Sequence, residues 1–295
     1  MTIWEGIKDS FKKGSPLIKL IYVNVGVWLA VNIAYIFLFL FSVPDPSGKI
    51  LVWLGIPAYL PSLLTHPWTV FTYMFTHQGF LHILFNLLWL YWFGIIFLQY
   101  FDTKKLVGVY LLGGVSGALL YILVFNLFPA FHQVLPYSMA IGASASIMAI
   151  IIATAFYVPD YTVYIFLIGP VKIKWVALVA FILTTLVDFP TNAGGKLAHL
   201  GGALYGYFFT VQYRRGKDIT RSFNRMLDTF FSWFKPRRKT LHVNYRRPVD
   251  DLEYNRQKAE EQKEIDRILD KISKGGYDSL TKKEKETLFR MSNKH

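Results

Sequence analysis

Leu20 to Pro44 runs for 25 residues without a charged side chain. As a helix it is about 37 Å long, enough to cross a hydrocarbon core of about 30 Å. A second uncharged stretch, Ile50 to Phe101, follows almost at once. Pro57, Pro61 and Pro67 break its first part, so only the second part, about Phe80 to Tyr100, reads as a span. The first part is predicted to be an apolar loop at the membrane interface, with Trp53, Tyr59 and Trp68 as anchors. Further spans are predicted over Leu106–Phe128, Tyr137–Tyr157, Trp175–Val187 and Leu197–Tyr213, six in all. Composition agrees: 53% of residues are apolar and 17% charged, against roughly 25% charged in a soluble domain. That excludes disorder for most of the chain and argues against an ordinary soluble globule. With no cysteine there is no disulfide framework, thiolate zinc site or cysteine nucleophile.

The formal charge of +13 is placed unevenly. Residues 214–295 hold 22 of the 32 Lys and Arg and 13 of the 19 Asp and Glu. With the N-terminus inside, the inner segments carry Lys8, Lys12, Lys13, Lys19, Lys104, Lys105, Lys172, Lys174, Arg214, Arg215 and Lys217. The outer segments carry only Lys49 and Lys196, so the positive-inside rule predicts cytoplasmic N- and C-termini. Mixed charges in the first 13 residues and the long first apolar run argue against a cleaved leader. Basic residues along the inner face point to membrane lipids rather than nucleic acid as partners.

Three divisions follow: a membrane domain over 1–213, a basic interfacial segment and linker over 214–248, and a helical hairpin over 249–295. Ile3, Trp4, Ile7 and Phe11, and later Phe223, Met226, Leu227, Phe230 and Phe234, fall near helical spacing among basic residues. Each set fits either an amphipathic helix on the inner leaflet or plain packing against the bundle. In the tail, Asp250–Ser273 is predicted to be a charged helix with a stripe of Ile265, Ile268, Leu269 and Ile272. Gly275-Gly276 ends it, and Thr281 with Glu284 marks the cap of a second helix carrying Leu288, Phe289 and Met291. This tail reads as a solvated or docking element.

Spans two, four and six all run from outside to inside, so their opening turns share one depth. His77 precedes span two, which opens with His82 and Asn86, four residues apart on one face. Span four opens with Gly142-Ala143-Ser144-Ala145 and span six with Ala198-His199. Singly each has a plain reading: a serine that packs helices, a partnered histidine, an interhelical amide. Together they supply a hydroxyl, an imidazole base and an amide donor for a developing oxyanion. Gly202 and Gly206, below His199, allow a close helix approach, whereas Gly113 and Gly117 read as packing only. Ser146 lies about 200° around the helix from Ser144 and should point elsewhere. There is no HExxH and no pair of span aspartates, so metal-dependent and aspartyl proteolysis are disfavoured; a transporter reading lacks its paired carboxylates.

At these positions the sequence resembles the rhomboid family of intramembrane serine proteases. The likeness rests on His77-Gln78-Gly79-Phe80-Leu81-His82-Ile83-Leu84-Phe85-Asn86, on Gly142-Ala143-Ser144-Ala145, and on Ala198-His199-Leu200-Gly201-Gly202 with Gly206, in that order over about residues 17–213. It implies an all-α, six-transmembrane-helix bundle that cleaves the transmembrane segments of other proteins near the outer face, without metal or cofactor. Ser144 would be the nucleophile, His199 the base, and His82 and Asn86 the oxyanion donors. It also suggests the inner membrane of a bacterium. Ala145 stands where the family commonly has Gly, and Thr69 follows Pro67-Trp68 where it often has Arg.

Overall fold

The computed structural model describes residues 14–233 and 251–292, together with Glu5, Lys8, Ser10 and Phe11. The sequence readings at Ile3, Trp4, Ile7, Phe234 and the 236–249 linker lie outside the described residues. The chain divides into a body over residues 1–235 and a tail over residues 236–295.

Helix α1, Pro16–Leu40, starts with a proline in its first turn behind Ser15, whose Oγ accepts from the Ile18 N–H. Its apolar far end is bare: Ile33, Ile36, Phe39 and Leu40 are all more than half exposed. Its one buried polar residue, Asn24, is satisfied by donating to the Leu20 carbonyl and the Tyr110 hydroxyl. After α2, Pro46–Leu54, strand β1 (Ile56–Pro57) pairs antiparallel with β2 (Met139–Ala140). Two short helical turns, Leu60–Thr65 and Thr69–Thr72, then lead to α3, Phe80–Tyr100. The segment expected to be a loop is therefore partly helical: Pro61 sits in the first turn of Leu60–Thr65, where proline is tolerated, and Pro67 precedes the N-cap of Thr69–Thr72. Trp53 and Trp68 are exposed and stack on each other at 5.7 Å, with the Trp68 Nε1 donating to the Trp53 carbonyl. Thr69 is buried and donates its hydroxyl to the His66 carbonyl.

Helix α4, Thr103–Leu127, is capped by Asp102. Helix α5, Ser144–Tyr157, has only 14 residues, about 21 Å. The span expected from Tyr137 begins seven positions later because Met139–Ala140 is extended against β1. Strands β3 (Thr162–Ile165) and β4 (Gly169–Lys172) form a hairpin that delivers the chain to α6, Ile173–Phe181. A wide turn, Ile182–Leu186, extends α6, and after a bend of 83° the chain enters α7, Ala193–Arg214. Three described helices, α1, α3 and α4, are long and apolar enough to cross a membrane, and the bent α6–α7 pair makes a fourth candidate. With the bare apolar surface of α1, this makes the chain an integral membrane protein.

Small residues set the centre of the body. A Cβ added at Gly202 would stand 2.1 Å from the Ala145 carbonyl oxygen, and one at Gly206 2.3 Å from that of Ala149. Helix α7 therefore lies directly on the backbone of α5. A Cβ at Gly113 would meet Ala149, and one at Gly117 would meet Ala145 and the Ala198 carbonyl, bringing α4 onto both. Helix α8, Arg221–Ser232, packs on the start of α4: the Asn224 amide donates to the Lys104 carbonyl, and Lys104 pairs with Asp228. Met226 and Phe230 on α8 stay half exposed.

The tail consists of α9, Asp251–Gly275, a tight turn at Tyr277–Ser279, and α10, Lys282–Ser292. Ile268 and Leu280 are buried, whereas Leu269 and Phe289 of the expected apolar stripes point outward. Glu284 accepts from the Thr281 N–H and hydroxyl and from the Lys271 ammonium, joining the two helices. These bonds hold its carboxyl at a pKa of about 2.

Candidate active site

Ser144 is the first residue of α5, and the turn before it is fixed from outside the helix. Gly142 has φ of +117°, a conformation that favours glycine, and its N–H donates to the Tyr73 carbonyl at 2.8 Å. A Cβ there would also stand 2.9 Å from the His82 Nε2, so glycine lets the imidazole approach the backbone. The next N–H, that of Ala143, donates to the His77 Nε2 at 3.3 Å. The His77 Nδ1 lies 3.2 Å from the Phe75 carbonyl oxygen. A carbonyl only accepts, so the Nδ1 carries the proton and the Nε2 is free to receive the Ala143 N–H. Gly142 and Ala143 have thus committed their amides, and Ser144 opens a helix whose first N–H groups have no partner within it.

His199 meets Ser144 from α7. Its Nε2 is 2.6 Å from the Ser144 Oγ, and its Nδ1 is 3.0 Å from the Thr184 carbonyl oxygen in the wide turn after α6. The same argument assigns the tautomer: the Nδ1–H donates to Thr184, leaving the Nε2 lone pair to accept the serine hydroxyl proton. The two helices can come this close because Gly202 sits one turn beyond His199 on the carbonyl of Ala145. Ser146 points away toward Gly114 on α4, buried and without a hydrogen-bond partner among the described residues.

His82 and Asn86 enter from α3. His82, His199, Ser144 and Asn86 line one cavity of about 410 Å³, walled by Phe85, Trp89, Met148 and Ile151 and floored by Ala180 and Thr184. The His82 ring lies edge-on to His77 at 5.1 Å. Asn86 is buried, and its amide donates to the His82 carbonyl one turn back, which occupies one of its two N–H groups. No carboxylate lines the cavity, so His199 is oriented by a carbonyl dipole and not by a charged partner. A hydroxyl bonded to a neutral imidazole of fixed tautomer, at a helix N-terminus and in an apolar cavity, can serve as a nucleophile toward a carbonyl carbon. The structure brings Ser144 and His199 into contact and sets His82 and Asn86 around the same space.

Two participants escaped the sequence reading. His77 precedes α3 and opens the stretch that carries the family resemblance, but the sequence assigned it no role; Thr184 acts through its backbone, which carries no side-chain signal. Among the described residues no group of three or more His, Asp or Glu is placed to hold a metal ion.

A family model described as the Rhomboid domain matches residues 64–216. A second, described as a family of unknown function, matches residues 249–294. The chain is similar to the RHOMBOID-like protein 12, mitochondrial, of Arabidopsis thaliana, at 26% identity over 50% of this chain and 47% of that protein. Its similarity to the Rhomboid protease AarA of Providencia stuartii is also 26%, over 62% of this chain and 69% of that one. A third relative, the Rhomboid-related protein 1 of Caenorhabditis elegans, is 26% identical over 52% of this chain and 42% of its own length. The chain thus spans less than half the length of two of these three relatives.

Proposed function

This chain belongs to the rhomboid family, and we propose on that premise that it is an intramembrane serine endopeptidase using Ser144 and His199. One observation carries the reading: the 2.6 Å contact between the Ser144 Oγ and the His199 Nε2 inside the cavity that His82 and Asn86 share. The Ser144 oxygen attacks the scissile carbonyl carbon while its proton passes to the His199 Nε2. The imidazolium then gives that proton to the leaving amine as the C–N bond breaks. Water then attacks the acyl carbon as the same nitrogen takes its proton, and that proton returns to the Ser144 oxygen as its bond to the acyl group breaks. The Ser144 N–H, the Asn86 amide and the His82 ring stabilise the oxyanion formed in each half.

The substrates are transmembrane segments of other proteins, cut near the outer face of a bacterial inner membrane. In this reading α1, α3, α4, α5, α6 and α7 form six spans, with both termini cytoplasmic; the excess of Lys and Arg on inner segments supports it. Residues 1–213 form the protease domain, 214–248 the basic segment and linker, and 249–295 a cytoplasmic tail that takes no part in the chemistry.

Purified protein incubated in detergent with single-span membrane proteins tests the assignment. Ser144→Ala and His199→Ala should each lower cleavage by more than about 10⁴-fold, and the double variant should be hardly worse, because the pair acts as one unit. Near-normal cleavage by folded Ser144→Ala overturns it.

A further inference from the structure

A second, larger cavity lies on the other side of α6, between α5, α6 and α7, with a volume of about 630 Å³. Ile152 and Phe156 on α5, Leu178 and Phe181 on α6, and Leu204 and Tyr207 on α7 make its walls apolar. Its only charged lining residues are Lys174 and Arg214, and both sit at one end. There the last turns of α5 and α7 meet the first turn of α6, at the opposite ends of these helices from Ser144 and His199.

The charge at this end is not balanced. Asp160 accepts from both Lys172 and Lys174 at 2.9 Å, one carboxylate for two ammonium groups. One Arg214 nitrogen donates to the Phe156 and Tyr157 carbonyls at 2.8 and 3.1 Å, satisfying the end of α5. A guanidinium has five N–H donors, so several remain, and no carboxylate among the described residues pairs with Arg214. Trp175 beside Lys174, and Tyr157 6.0 Å from the Arg214 guanidinium, are rings suited to headgroup depth.

We propose that this groove is a binding site for one anionic phospholipid, with an acyl chain along the apolar walls and the phosphate at Lys174 and Arg214. An apolar slot in a membrane protein is open to acyl chains of every lipid, so the selectivity must come from the charged end. Three cations against one carboxylate favour a headgroup of net negative charge. They repel the ammonium of a zwitterionic one, which is the logic of basic pockets between transmembrane helices. A substrate segment does not fit the same place, because the reacting pair opens into the separate cavity bounded by α3.

The full chain, purified from mixed micelles of phosphatidylglycerol and phosphatidylcholine at equal amounts, is examined by native mass spectrometry. One phosphatidylglycerol should be retained in preference to phosphatidylcholine. Lys174→Gln should reduce that preference about fivefold, the effect of one cation near an anionic lipid, and Lys174→Gln with Arg214→Gln should abolish it. Because Arg214 also caps α5, Lys172→Gln with Lys174→Gln serves as a second pair that leaves the cap intact and should lower the preference in the same way. Leu204→Trp, which fills the slot and leaves every cation in place, should reduce retention of phosphatidylglycerol itself. Equal retention of the two lipids by the wild type overturns the proposal. So does a preference that survives the lysine pair, or retention unchanged by Leu204→Trp.

Discussion

Helices α7 and α6 flank the same serine and are held in opposite ways. Helix α7 rests on α5 backbone to backbone, with glycines so close to the Ala145 and Ala149 carbonyls that no side chain fits between. Helix α6 has a cavity on either side, about 410 Å³ toward Ser144 and about 630 Å³ behind it. The difference teaches a division of labour. The serine–imidazole distance is a property of a seam with no slack, since close-packed contacts are not continuously deformable. Access to that pair belongs to a wall with room to shift. Two threads join them: the Thr184 carbonyl, by which the turn after α6 holds the His199 ring, and the Val187 and Asp188 carbonyls, which accept from Lys196 on α7.

Asn86 carries the largest effect outside the dyad, and it belongs to neither helix. Asn86→Ala should lower kcat by about 10²–10³ with little change in KM, as expected for loss of an oxyanion donor. Normal turnover with a lowered melting temperature would instead assign the amide to packing on α3. Gly202→Ala tests the seam itself. The added methyl must push α7 off α5, and a displacement of about 1 Å in a reacting pair costs about 10²-fold in rate. Melting temperature should fall too, since overpacking costs about 1–3 kcal/mol. Undiminished cleavage by Gly202→Ala breaks the comparison.

His77→Ala removes the acceptor of the Ala143 N–H. It should reduce kcat about tenfold, matching about 1–1.5 kcal/mol for one hydrogen bond. His77→Gln, which keeps an acceptor, should recover part of the loss; equal loss in both variants would mean that the ring acts by bulk alone. The smallest effect is expected at Leu178, on the slack wall. Leu178→Ala should change stability by no more than about 0.5 kcal/mol and turnover by no more than about twofold. A fall as large as that of Gly202→Ala would show that α6 is as tightly held as α7.

The residues that meet in the cavity were legible because each announces itself locally. A histidine and an amide four apart share a helix face, and a serine among small residues next to a glycine pair one turn past a histidine predicts a close helix crossing. That Ser146 points away from Ser144, into the contact with α4, agrees with helical geometry alone. Local signals failed where partners are distant. Apolar Tyr137 to Ala143 looks like the top of a span, yet Met139–Ala140 takes extended geometry because Ile56–Pro57 lies beside it. Thr162–Lys172 forms a hairpin whose Gly169-Pro170 stands at the start of its second strand and not at the tip of its turn. Leu269 and Phe289 fit the apolar periodicity of their helices but are exposed among the described residues.

The amide of Ala143 and its acceptor on His77 are 66 residues apart in the chain, and Ser144 and His199 are 55 apart. Contacts of that separation form late, because the entropy of closing a long loop must be met before the contact rewards it. Each apolar helix can form within the bilayer on its own hydrogen bonds. The turn that presents Ser144 cannot; it waits for residues 56–57 and 73–77 to arrive, and His199 waits for α7. A newly inserted chain therefore passes most of its assembly with a serine and no base beside it. On the proposed reading its reactivity appears only when α7 has docked, a safeguard built into connectivity for a chain that matures among the membrane proteins it is proposed to cut.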